Sequence, residues 1–240
     1  MQSAIRYSFI PAMASPLIFG LVLGLPHATS GTRFVRIYNA TRPIHFGLAS
    51  RKGDITINSW NKREINVKAV CPEAVEIQDQ VAADRVAITV GHPRMARVDF
   101  EIMAPSDTSI AVKSNFSRVA LSGINGHIDV DVLNGDVSLT DIHSSCVEAK
   151  TLMGDIIFDG ELPGEGPYTL QSVAGDIDVS LPSSMSFDLV AKSLTSSINL
   201  GGFFLSERSQ DSDWVSGKHE RGGPRLNLTT FEGRIILHQK

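Results

Sequence analysis

The sequence contains two cysteines, Cys71 and Cys146, in 240 residues. Two thiols so far apart set out no disulfide framework: in an oxidising compartment they can join, and a pair of buried thiols accounts for them equally well. Charge of neither sign dominates, with 22 Lys and Arg against 26 Asp and Glu and a net charge of −4. Nothing in that balance favours a nucleic-acid binder. Beyond residue 25 there is no second long apolar run, so no membrane-spanning helix is expected in the body of the chain. Nucleophile elbow, phosphate loop and dinucleotide fingerprint are all missing. The seven histidines have no ligand spacing, since His127 and His143 stand outside the apolar positions and His219 lies in a polar insertion. No metal and no cofactor are expected.

What is present begins with a leader. Arg6 precedes an apolar run from Pro16 to Leu25, closed by Pro26 and the small residues Ala28, Thr29 and Ser30. This is the charged, apolar and small-residue order of a secretory signal peptide, too short and too interrupted to span a membrane. Cleavage is expected near Ser30 and removes only one charge, that of Arg6. Neither cysteine lies at that site to take a lipid, so the mature protein is expected to be exported, to periplasm, cell surface or medium.

The body is a repeat. "VEAKTLMGDI" from Val147 is answered by "LVAKSLTSSI" from Leu189, and five further copies begin at Phe46, Ile110, Ile128, Tyr168 and Leu226. Positions 1, 3, 10 and 12 of the unit are apolar in every copy, an alternation with period two that marks strands. Position 8 is Gly53, Gly135, Gly154, Gly175 and Gly233, with Ser117 and Ser196 as exceptions. Glycine suits a corner that needs positive φ or close backbone approach. Position 5 is Ser or Thr in all copies but one. Each unit therefore reads as two short strands joined at a glycine corner.

Identical positions filled alike, at intervals of about 20 residues, predict a coil whose rungs stack in parallel about 4.8 Å apart. Outward position 4 runs Lys113, Asp131, Lys150, Gln171, Lys192, an order that keeps like charges apart. The expected fold is thus all-β, a parallel solenoid of two-strand rungs forming one domain over residues 31–240. Residues 31–109 hold the first rung and a strand-rich cap, and residues 110–200 the regular rungs. Residues 201–225 form a loop insertion, and residues 226–240 the last rung.

The "GDITINSW" segment, the "RVDFEIMAP" strand ending in proline, and the "NGDV", "MGDI" and "AGDI" rungs together resemble the bacterial putative-adhesin family. The likeness covers nearly all of the mature chain. It implies right-handed β-helix-like coils in a cell-envelope protein, and it brings no catalytic residues with it. The two serine corners and the long insertion depart from the family pattern.

Three candidate sites remain. Asp54, Asp136, Asp155 and Asp176 follow the corner glycines, and the last three are expected to stack in a column that could attract Ca²⁺, although Asp after Gly is ordinary turn chemistry. Asp129 and Glu148 share position 2 on adjacent rungs, a carboxylate pair of the kind glycosidases use, with no cleft readable around it. The insertion gathers Arg208, Trp214, Lys218, His219 and Arg221, an aromatic among cations on an acidic protein, and is the expected partner-binding loop. Asn39, Asn115 and Asn227 head N-x-S/T triplets of no evident use. The leading functional expectation is a non-catalytic envelope module, adhesin-like, that binds an envelope protein, a polysaccharide or a second copy of itself. A polysaccharide lyase or hydrolase on the same scaffold and an envelope-stress sensor are the alternatives.

Overall fold

The computed structural model describes residues 32–71, 75–91 and 96–240. The leader expected over residues 1–30 lies outside the described residues. Strands alone build the described part: 21 of them form a 10-stranded first sheet and an 11-stranded second sheet. Each rung places one strand in each sheet, and the rungs stack in parallel as expected. The Ile128, Val147 and Tyr168 rungs show the register directly, since Ile128 pairs with Val147 and Val147 with Tyr168. Their inward residues fill one continuous core between the sheets.

The order of rungs in space departs from the order in the chain at both ends. The strands Arg225–Glu232 and Ile235–Gln239, expected as the last rung, slot between the Tyr168 rung and the Leu189 rung. The Leu189 rung is the terminal one. Its corner is Ser196, its second strand is only Ile198–Asn199, and Ile198 and Leu200 are only partly covered. The Leu226 rung, with Gly233 at its corner and all four inward side chains buried, can sit between two neighbours. At the other end, Arg85–Val90 and Asp99–Pro105 form an eighth rung outside that of Phe46.

Both ends are closed by antiparallel strands. Thr32–Asn39 and Glu64–Cys71 extend the first sheet from Asp99–Pro105, and Ile77–Val81 extends the second from Arg85–Val90. At the far end the segment expected as a loop is a β-hairpin, Leu205–Gln210 with Trp214–His219, paired to Phe187–Ser193. Alternation explains the correction: Val215 and His219 turn inward and are buried while Trp214, Ser216 and Lys218 are less covered, a strand pattern inside a polar sequence. Cys71 ends a strand of the first sheet, Cys146 directly precedes the Val147–Met153 strand of the second, and no disulfide joins them. Burial raises both thiol pKa values, and Glu148 and Asp129 add to the shift at Cys146.

The corners set the spacing. Gly154 and Gly175 have φ of +151° and +156°, and a Cβ there would lie 2.3 Å and 1.9 Å from the carbonyl oxygen of the corner below. The same carbonyls accept from the buried position-5 hydroxyls: Thr151 donates to Gly135 (3.0 Å), Ser172 to Gly154 (2.9 Å), Thr230 to Gly175 (2.9 Å) and Ser193 to Gly233 (2.8 Å). Ser117 keeps a negative φ, and its hydroxyl meets that of Ser114 inside the corner. Replacing Gly154 or Gly175 by Val should destabilise the protein by about 3 kcal/mol, from backbone strain together with the clash on the carbonyl below. Chemical denaturation measures it, and unchanged midpoints in both variants would remove the corner constraint.

Candidate functional site

The aspartates after the corners stack as predicted, and their carboxylates are already engaged. Asp155 N–H donates to Asp136 Oδ1 (3.1 Å), Asp176 N–H to Asp155 Oδ1 (2.8 Å) and Arg234 N–H to Asp176 Oδ1 (2.7 Å). Asp54 N–H donates in the same way to Asp99 of the eighth rung (2.8 Å). Arginines close the ladders: Arg234 on Asp176 (2.6 Å), Arg118 near Asp136 (3.8 Å), and Arg97 on Asp54 (2.8 Å) and Asp99 (2.9 Å). Among the described residues no group of three His, Cys, Asp or Glu is placed to hold a metal ion. The column serves as a rung-to-rung hydrogen-bond ladder.

Arg234 holds the Asp176 carboxyl below the usual carboxylate range, first through its side-chain hydrogen bond. A folded-state pKa that is lowered contributes stability that is present above the unfolded carboxyl's pKa and lost as pH falls through the folded value. Arg234→Gln should therefore cost stability at pH 7, and the gap from the parent should shrink below the ordinary carboxylate range. Urea denaturation at pH 7 and pH 3 checks this, and a gap that is unchanged or wider at pH 3 would contradict it.

The outer face of the second sheet is where the surface is shaped. Positions 2, 4 and 6 of every rung point outward there. At position 2 the first three rungs in space carry Ala87, Gly47 and Ala111, paired side by side in register. Three small side chains in a row leave a depression of about 480 Å³, floored by these residues and rimmed by His45, Arg85, His127, Asp129 and Glu148. The carboxylate pair of the sequence is thus directly registered, Asp129 against Glu148, and it does border a cleft. Glu148 is ion-paired to Lys150 two residues on, which raises the Lys150 pKa, so half of the pair is committed to an ammonium group.

Further along the same face, position 6 forms a row of Leu133, Leu152, Val173, Phe231 and Leu194, each 46–50% exposed. A second groove of about 390 Å³ runs beside it, with the row as one wall and Lys150, Gln171 and Thr229 of position 4 as the other. The sequence signal for this row was available, because position 6 is apolar in five of the seven copies. The depression was harder to read, since the "RVAITV" strand that contributes Arg85 and Ala87 is separated from "VDFEI" by an insertion within its rung.

Of the five insertion residues only Arg208 and Trp214 line a common small pocket, and the other three stand apart from it. His219 is buried and stacks edge-on against Phe203 (4.9 Å between centroids) and beside Phe187 (5.3 Å), with Nδ1 2.9 Å from the Phe204 carbonyl oxygen and Nε2 3.2 Å from that of Ser183. It anchors the cap and is not available to a partner. Lys218 pairs with Glu207 (2.6 Å), while Arg208 and Arg221 are exposed. Trp214 is half-buried, and it pairs with Lys192, which continues the position-4 column onto the hairpin.

The comparisons with known proteins fit this geometry. The family model described as Toastrack DUF4097 matches residues 45–238. The chain belongs to the Toastrack DUF4097 family. The match takes in all eight rungs and the capping hairpin, and it agrees with the putative-adhesin resemblance drawn from the glycine corners. Among solved structures, a putative cell adhesion protein from Clostridium sporogenes superposes with a TM-score of 0.53 at 15% identity, covering 88% of this chain and 100% of that one. The two share a fold. A putative adhesin from Bacteroides fragilis matches at a TM-score of 0.34 and 11% identity, over 87% of this chain and 98% of that one. A putative lipid binding protein from Parabacteroides distasonis matches at a TM-score of 0.32 and 9% identity, over 88% and 96%. No curated protein matches the sequence.

Proposed function

We propose that this Toastrack protein is an exported, non-catalytic module of the cell envelope, adhesin-like in use, that binds a polysaccharide on the outer face of its second sheet. The observation that carries the reading is the depression over Ala87, Gly47 and Ala111. Its floor is shallow and weakly polar, suited to the face of a sugar ring. Its rim supplies the imidazoles and guanidinium of His45, His127 and Arg85 as donors and the carboxylates of Asp129 and Glu148 as acceptors, for hydroxyl groups around that ring. The stacked sheet is rigid and open along its length, so a polymer can continue past the depression without entering a closed pocket. Engagement of Glu148 by Lys150 supports binding over hydrolysis, because a carboxylate held by an ammonium is not poised to be the general acid that protonates a leaving group. The exposed Arg208 and Arg221 of the capping hairpin give the module a second place of contact for an envelope partner.

Binding of the protein, recovered from the envelope fraction, to isolated envelope polysaccharide tests the reading. Ala111→Leu, which fills the depression from its exposed floor, and Arg85→Ala, which removes a donor from its rim, should each weaken binding about tenfold, the scale of one lost polar or steric contact. Thermal unfolding should be unchanged, and no new reducing ends should appear. Undiminished binding by both variants would contradict the assignment of the site, and release of reducing ends that Glu148→Gln abolishes would establish the enzymatic alternative. The intact mass of the same preparation should correspond to a chain starting near residue 31; a chain starting at Met1 would contradict export with cleavage.

A further inference from the structure

The apolar row at position 6 is not needed to hold the stack, because the inward positions already form the core. Leu133, Leu152, Val173, Phe231 and Leu194 stand on five successive rungs in space, with Met153 and Phe116 exposed beside them. Together they offer on the order of 600 Å² of apolar surface, at the upper end of the largest patch a soluble monomer ordinarily exposes and approaching the roughly 800 Å² each partner contributes to a stable interface.

We infer that this face pairs with the same face of a second copy, about a two-fold axis lying along the Tyr168–Ala174 strand between the two sheets. Such an axis reverses the order of the rungs and keeps each position along the strand, so every column meets its own column. Leu152 then meets Phe231 of the second copy, Leu133 meets Leu194, and Val173 meets itself. The charged column at position 4 selects this register. Spatially it runs Lys113, Asp131, Lys150, Gln171, Thr229, Lys192, and then Trp214 of the hairpin. Reversal about Gln171 sets Asp131 against Lys192 of the second copy and Lys113 against the face of its Trp214, each contact occurring twice by symmetry. Moving the second copy by one rung brings Lys192 against Lys150 in one direction and against Lys113 in the other. No like charges meet at positions 2 and 4 in the chosen register.

The sugar-binding reading is distinct only in part: the rung of Arg85 and Ala87 lies beyond the paired strands, whereas Ala111, Asp129 and Glu148 stand on rungs that the second copy faces. Pairing therefore covers part of each depression, which is fully open in the monomer.

Sedimentation velocity of the mature protein is the test. The parent should sediment as a dimer at micromolar concentration. Leu152→Asp and Phe231→Asp should each weaken the dimer by at least a hundredfold with unchanged thermal unfolding, because both side chains are already outward. Asp131→Lys and Lys192→Asp should each weaken it, and the Asp131→Lys/Lys192→Asp double variant should restore dimer formation to within tenfold of the parent. A parent that stays monomeric to 100 µM, on the order of the weakest specific pairings, overturns the inference, as does a double variant no better than either single one. Binding of polysaccharide by the Leu152→Asp monomer is expected to persist at each site, so failure of one reading is distinguishable from failure of the other.

Discussion

The fold depends on how closely one corner approaches the next. At Gly154 and Gly175 the backbone of one rung lies so near the carbonyl of the rung below that no Cβ fits between them. That contact turns the chain from one sheet to the other. It also holds the rungs in register and leaves the corner carbonyl as acceptor for the position-5 hydroxyl of the neighbouring rung. Outside the corner, the aspartate ladder repeats the same link with a carboxylate accepting from the next backbone N–H. Two hydrogen bonds per step, one buried and one exposed, thus fix each rung against a slip along the strand direction relative to the rung below.

The fold was legible because each of these demands leaves a mark on one position of the unit. Glycine at position 8, a hydroxyl at position 5 and apolar residues at 1, 3, 10 and 12 describe a rung without reference to its neighbours. Which rung lies beside which is not a property of a single unit. Thr230 would donate equally well to any glycine corner, and only the packed whole places it on Gly175. The intercalation of the Leu226 rung was therefore invisible, although the weaker Leu189 rung, with Ser196 at its corner, carried the sign of a terminal position. At the other end the same manoeuvre puts Arg85–Val90 outside His45–Ala49. In both places a rung that stacks well on two faces lies inside, and strands able to tolerate one bare face lie outside.

The candidate site was legible only in part. Asp129 and Glu148 could be placed side by side from their positions in the unit, but the depression beside them comes from Ala87, Gly47 and Ala111, which are neighbours only after the rungs have changed order. The insertion drew attention for its Trp and its cations, yet its strand alternation, with Val215 and His219 inward, governs what it does. Its contribution to recognition reduces to the side chains that point away from the core. A stacked coil makes outward columns cheap to vary, since nothing inside depends on them, and the row from Leu133 to Leu194 shows one column given over to apolar side chains.

The arrangement of the last two rungs tests this account most directly, because the corner ladder, the position-4 charge order and the apolar row all rest on it. Cysteines at Thr169 and Asn227 stand on adjacent strands in register, whereas Thr169 and Val190 are separated by the intervening Leu226 rung. Mild oxidation followed by peptide mapping should find the Thr169→Cys/Asn227→Cys pair joined and the Thr169→Cys/Val190→Cys pair unjoined, since a disulfide does not reach across two strand spacings. Joining of the second pair, with the first left reduced, would mean that the rungs follow chain order and would contradict the account.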